Sequence, residues 1–264
     1  MDSVYGVFSV QPYSANEIQQ GVARHRGGEA AGRQPFRLQL SRFGRRRDRP
    51  SPLRKQIKVE EHLRSSGLAY TIVRPVFFME NWYRGFGESI RSGQLQQPLS
   101  STARLQMVAV DDIGAFVALA FEHPGKWKDR IFSLAGDELS MQQIADAFDR
   151  ANSREVKYVQ VSWDQFEKNM GGELTMMYHW FEEKGFHFNI DEVRREYPLT
   201  TPLINGWIRI GIRLRESKRH VADRFLVRSV IAEPRGLGAA GDVSSLAATL
   251  ADADKIALQI GYLQ

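Results

Sequence analysis

Tyr70-Thr71-Ile72-Val73 is a β-branched run without polar alternation. A run of this kind reads as a central strand of a parallel sheet, buried on both faces. Arg74-Pro75 stops it, because proline lacks the ladder N–H and steers the residue before it away from helix. Phe77-Phe78-Met79-Glu80-Asn81 then reads as an apolar turn into a helix. In an open α/β sheet, ligands sit outside the carboxyl ends of such strands.

The flanking sequence repeats this alternation of strand and helix. Val4 to Val10 is a strand candidate, and Ser14 with Glu17 is a capping box for a following helix. Val59 to Arg64 is helical and closes at Gly67. Arg104 to Val110, Arg130 to Leu134 and Val156 to Val161 read as strands. Asp111 or Asp112 caps a helix whose stripe is Ile113, Phe116, Val117, Ala120 and Phe121, with Pro124-Gly125 as its stop. Ser140 with Gln143 is a further capping box, ahead of a stripe of Met141, Ile144, Ala145 and Phe148. Ser162 with Gln165 opens another helix. Strands alternating with helices imply an α/β fold with a parallel sheet.

One stretch breaks the pattern. Gly21 to Gln56 shows no periodicity, and ten arginines lie between Arg24 and Arg54. Read functionally this is a nucleic-acid patch, but no stacking aromatics or DNA-binding motif accompany it, so nucleic acid is not the expected partner. The chain has 264 residues and 42% hydrophobic content, enough for one domain with a sizeable core. It has no cysteine, which excludes disulfides, thiolate metal sites and cysteine nucleophiles. No apolar run reaches the length of a membrane span and no signal peptide opens the chain, so the expected location is the cytoplasm.

The Tyr70–Asn81 stretch resembles the NmrA-like branch of the short-chain dehydrogenase/reductase group, atypical Rossmann proteins that bind NAD(P). The likeness extends over Val4 to Gln11, Val59 to Gly67, Val108 to Phe121, Arg130 to Ala147 and Val156 to Thr201. It implies a partial Rossmann-like parallel sheet with flanking helices and a smaller C-terminal lobe. The expected division is 1–201 as the NAD(P)-binding domain, with 21–57 irregular, and 202–264 as a tail of non-family sequence. By the same likeness, the chain starts at the family's fourth strand, without its Gly-rich loop.

The genetic code offers a reason for the irregular stretch. Arg33 to Gly44 can be encoded so that a one-base shift reads Val-Ser-His-Phe-Val-Tyr-Ser-Ser-Val-Gly-Ser, the strand and loop that the family carries there. The same shift through Arg54, Lys55 and Gln56 can give Phe-Glu-Ser-Lys, the family's lysine element. Arg33 to Gln56 is therefore expected to be an out-of-frame reading. Pro202-Leu203-Ile204-Asn205 can be shifted to Phe-Asp-Gln, so the tail carries the same expectation, with a genuine extension as the alternative.

The resemblance also places the site. The loop after the family's fourth strand lies near the cofactor's adenosine side, here Val10, Gln11 and Pro12. The loop after the Tyr70 strand flanks the nicotinamide, here Pro75, Val76, Phe77 and Phe78; simple core packing is the alternative for these aromatics. Glu80 and Asn81 either hold the second lobe or cap their own helix. The family's tyrosine-or-histidine and lysine positions hold Pro52 and Gln56, neither a cation nor a general acid, and Lys55 and Lys58 point to other helix faces. No catalytic residue is assigned. Gly236-Leu237-Gly238-Ala239-Ala240-Gly241 matches G-x-G-x-x-G without the strand and helix that the fingerprint needs, and Gly27-Gly28 is no better. His179, Glu183 and His187 have helical metal-ligand spacing but read as surface polar positions, and the Asp111-Asp112 pair reads as a cap. The implied cofactor is NAD(P), most readily NADP. The implied roles are a redox-responsive regulator contacting a protein partner, a defective fragment of one, or an NAD(P)H-dependent reductase of a small carbonyl or quinone. An isolated half-sheet would also expose edge strands and aggregate.

Overall fold

The computed structural model describes residues 6–10, 18–19, 21–22, 36–40, 51–152, 154–198, 200–203, 205 and 231–232. Tyr70–Pro75 forms strand β3, and Thr71, Ile72 and Val73 are fully buried in it. It pairs in parallel with β2 (Phe36–Leu40) on one side and β7 (Arg130–Leu134) on the other. β1 (Gly6–Ser9) pairs in parallel with β2, and β10 (Ile231–Ala232) runs antiparallel along β1. The sheet order is therefore β10-β1-β2-β3-β7. This is the mixed α/β architecture expected from the alternating pattern.

The expectation that 21–57 lacks regular structure does not hold. Phe36-Arg37-Leu38-Gln39-Leu40 alternates apolar and polar residues with the period of a strand, and β2 fills the gap between β1 and β3. Arginine density masked that alternation. Helix α1 (Ser51–Ser65) likewise begins inside the stretch, with Pro52 in its first turn, where a missing N–H costs nothing. Residues 18–19 and 21–22 are helical, and Gly21 lies so close to α1 that a Cβ there would stand 2.7 Å from Val59 Cγ1. Gly67, past the end of α1, has φ +74°, the left-handed conformation that a closing glycine supplies.

A second layer carries the other lobe. β4 (Phe77–Phe78), β6 (Arg104–Val108) and β8 (Asp137–Ser140) form a three-stranded sheet, and β5 (Gln94–Gln97) pairs in parallel with β9 (Lys157–Gln160). Phe77-Phe78 is thus a short strand beside Met107 and Val108, not the turn that the sequence led us to expect. Each residue faces a β6 partner, which an apolar pair achieves at no polar cost. The helices are α2 (Asn81–Arg91), α3 (Val110–Glu122), α4 (Pro124–Trp127), α5 (Met141–Asn152), α6 (Trp163–Met170), α7 (Gly172–Glu183) and α8 (Ile190–Glu196).

The main core joins both lobes and includes Phe8, Val73, Trp82, Phe116, Phe148 and Phe181. The α3 stripe is buried as its spacing requires, at Ile113, Phe116, Val117 and Ala120. Phe116 stacks on Phe132, meets Trp127 edge-on at 4.7 Å and meets Tyr197 edge-on at 5.4 Å. Arg130 and Lys126 both lie over the Trp127 ring. Among the described residues no helix is long and apolar enough to cross a membrane.

Candidate functional site

The carboxyl ends of β1 and β3 share one edge of the main sheet, since both pair in parallel with β2. Val10 follows β1 and is buried. Gln11 and Pro12 lie outside the described residues. Pro75, the last residue of β3, is buried, and so are Val76, Phe77 and Phe78. The Val76 N–H donates to Leu134 O at 3.2 Å and the Met79 N–H to Val108 O at 3.0 Å. The Phe77 ring sits 5.0 Å from Trp82 and meets Phe181 edge-on at 6.0 Å. Trp82 Nε1 in turn donates to Met107 Sδ. The segment is an apolar wall, held from behind by aromatic groups of α2 and α7.

A dinucleotide needs such a wall for its nicotinamide end and a glycine-rich strand-to-helix turn for its pyrophosphate. Among the described residues no glycine-rich turn leads from a strand into a helix. Backbone donors at Val76 and Met79 are already spent. The described residues do not supply a phosphate cradle for a dinucleotide. Pro52 and Gln56 stand one turn apart on α1 and bring neither an acid nor an amine.

Glu80 is the carboxylate nearest this wall in sequence. Its Oε1 accepts the Val110 N–H at 3.0 Å, so it caps α3 from thirty residues away. Ala109, the residue preceding α3, has no side chain for the task. Burial pushes the Glu80 carboxyl up to about 7, against the lowering effect of the Val110 N–H and its own backbone N–H, and the charges of Asp111 and Asp112 add to the rise. Its Oε2 is buried without a side-chain or neighbouring donor among the described residues. Glu80 makes no side-chain cap bond to its own helix; its bond goes to Val110 instead.

Asp112 does not cap α3 as the sequence led us to expect, because the helix has already begun at Val110. Buried to 3% exposure, it receives the Thr201 N–H at 2.6 Å and the Thr201 hydroxyl at 2.7 Å. Its backbone carbonyl accepts the Tyr197 hydroxyl at 3.1 Å. Asp137 Oδ2 takes the Leu203 N–H, and Arg194 donates to Gly136 O. A Cβ on Gly136 would lie 3.1 Å from Thr201 O. Tyr197, Thr201 and Leu203 are thus strapped to the residues that follow β6 and β7. Sequence reasoning missed this strap. Its only sequence signal is a second carboxylate beside an apolar stripe, which reads equally well as a cap.

His179 stacks on Trp163 at 3.8 Å. α7 ends at Glu183 and Gly185 turns the chain with φ +58°, so His187 does not continue the helical face of His179 and Glu183.

The sequence model of the NmrA-like family matches residues 1–199. The chain is 27% identical over 169 residues to an NAD(P)H azoreductase of Xenophilus azovorans, covering 63% of this chain and 58% of that protein. The chain therefore spans less than two thirds of this relative's length. Among solved structures, an Escherichia coli NADPH-dependent quinone oxidoreductase complexed with NADPH superposes with a TM-score of 0.64 at 20% identity, covering 79% of this chain and 75% of the other. NmrA, a negative transcriptional regulator in complex with NADP, gives 0.57 at 20% identity, covering 79% and 74%. These two likenesses establish the fold. From the match over residues 1–199, this chain belongs to the NmrA-like family.

Proposed function

We propose that the chain is a non-catalytic NmrA-like module, a redox-responsive regulator that meets the nicotinamide end of NAD(P) and acts by contacting a protein partner. One observation carries this reading. The described side chains that follow β1, close β3 and form β4 — Val10, Pro75, Val76, Phe77 and Phe78 — are all apolar and buried. Hydride transfer to a carbonyl needs a proton donor within hydrogen-bond reach of the reacting oxygen. Of the described groups that flank Pro75–Phe78, Arg74 is bonded to Glu60 and Glu80 to the amino end of α3.

The second reading, an NAD(P)H-dependent oxidoreductase of a small carbonyl or quinone, is favoured by the azoreductase relative. Titration of the full chain with NADPH, followed by nicotinamide fluorescence, separates the two when combined with a quinone turnover assay. The regulator reading expects saturable binding without turnover. Turnover overturns it in favour of the reductase. Absence of any binding overturns both and leaves a fragment without a nucleotide function.

A further inference from the structure

We propose that Glu80 is a proton-operated clasp, closing the amino end of α3 and the Tyr197–Leu203 strap when protonated and releasing them when ionised. The geometry supplies each link. Oε1 holds the Val110 N–H, while Oε2 is buried and has no hydrogen-bond partner among the described residues. A neutral carboxyl tolerates an unpaired oxygen at the cost of one lost hydrogen bond. An ionised one leaves a buried charge with one oxygen unpaired, which costs far more. The charged groups acting on Glu80 are Asp111 and Asp112, both on α3 and both of the same sign as the ionised carboxyl. The Val110 N–H, the Glu80 backbone N–H and the positive end of the α3 dipole oppose this repulsion, but burial outweighs them.

Release needs the buried Glu80 carboxyl to swing outward on a residue that is itself partly exposed. A charged Glu80 that turns to water leaves the Val110 N–H without an acceptor, and Ala109 cannot replace it. The loosened turn carries Asp112, the group that holds Thr201 by both its N–H and its hydroxyl. Proton loss at one carboxyl therefore reaches the strap through a single turn of helix. The proton comes from and returns to water, and no other reactant takes part. The proposal does not depend on nucleotide binding.

The test uses the full chain labelled with carboxyl-¹³C glutamate, with E80Q identifying the Glu80 signal. Amide hydrogen exchange at Val110–Gly114 and Thr201, corrected for the intrinsic pH dependence, reports opening. The wild-type opening equilibrium should rise about tenfold per pH unit between roughly pH 5 and pH 7 and then level off. The E80Q side chain keeps an acceptor for the Val110 N–H without a charge, so this variant should give a flat profile. Equal profiles in the two proteins, or a Glu80 carboxyl that titrates in the ordinary glutamate range, overturn the proposal. Should E80Q fail to fold, the wild-type exchange profile decides alone, and a flat one overturns it.

Discussion

Arg74 and Glu60 meet at two points, Nε to Oε1 at 3.0 Å and Nη2 to Oε2 at 2.5 Å, with side chains only 13% and 3% exposed. The pair ties the end of β3 to α1. Both partners of a buried bidentate pair are satisfied only together.

Arg74→Ala leaves the Glu60 carboxylate buried without its cation. Removing one partner of a buried pair costs about 3–5 kcal/mol. Urea unfolding followed by circular dichroism should show a lowered midpoint with an unchanged slope. A double variant, R74M with E60M, should recover most of the loss, because a well-packed apolar pair avoids the stranded charge.

Asp112→Ala removes two acceptors at once and leaves the Thr201 N–H and hydroxyl without partners. The expected loss is about 2–4 kcal/mol. The more specific sign is local. Limited proteolysis should cut between Tyr197 and Leu203 well before the remainder of 51–196 is attacked. Unchanged cleavage there would show that the strap is held by other contacts.

Phe116→Ala opens the aromatic cluster in which Phe116 touches Trp127, Phe132 and Tyr197. Large-to-small changes at such positions cost about 3–5 kcal/mol. Phe116→Leu should cost clearly less, since much of the volume is kept. Near-ultraviolet circular dichroism should report the loss of Trp127 packing in the alanine variant.

Two carboxylates give stability opposite slopes with pH. Glu80 keeps its proton up to about 7 in the fold, against 4.5 for an ordinary glutamate. In that window the unfolded chain has lost a proton that the folded chain retains, so stability falls as pH rises from 4.5 towards 7, by roughly 3 kcal/mol in all. Glu138 behaves the other way. Partial burial raises it, but hydrogen bonds from Arg104 and Gln106 outweigh that and hold it below the ordinary value. Its contribution is present above the ordinary range and is lost as pH falls through the depressed one. Melting temperatures of the wild type and E80Q between about pH 4 and pH 9 check both. The neutral-side decline should vanish in E80Q and the acid-side decline should persist.

Much of this molecule can be read from local chemistry. The Tyr70 strand, the Arg130–Leu134 strand and the α3 stripe sit where periodicity places them. The Ser140–Gln143 box is reciprocal, with the Gln143 N–H on Ser140 Oγ and the Ser140 N–H on Gln143 Oε1. Ser162 caps α6 through the Gln165 N–H. What escaped was non-local. The Phe77-Phe78 strand exists because β6 lies beside it, and no periodicity of two residues can announce that. The Asp111-Asp112 pair looked like a cap because capping is a local habit of aspartate. The capping oxygen comes instead from Glu80, thirty positions earlier, and Asp112 anchors residue 201. The β2 alternation was present in the sequence and was obscured by its arginines. As for Pro75 to Phe78, their apolar character is plain in the sequence, while their burial required the second lobe in place.

β10 runs antiparallel along the first half of β1, with Ala232 beside Gly6 and Ile231 beside Val7. Among the described residues, Ile231 and Ala232 thus form the outer strand of the array beside β1. A polypeptide ended ahead of position 231 would present that flank of β1 bare, and copies would be drawn to one another through β1, backbone to backbone. Self-association that tracks the loss of these two residues, with the interior of each copy intact, would identify the far end of the chain as its safeguard against joining its own kind.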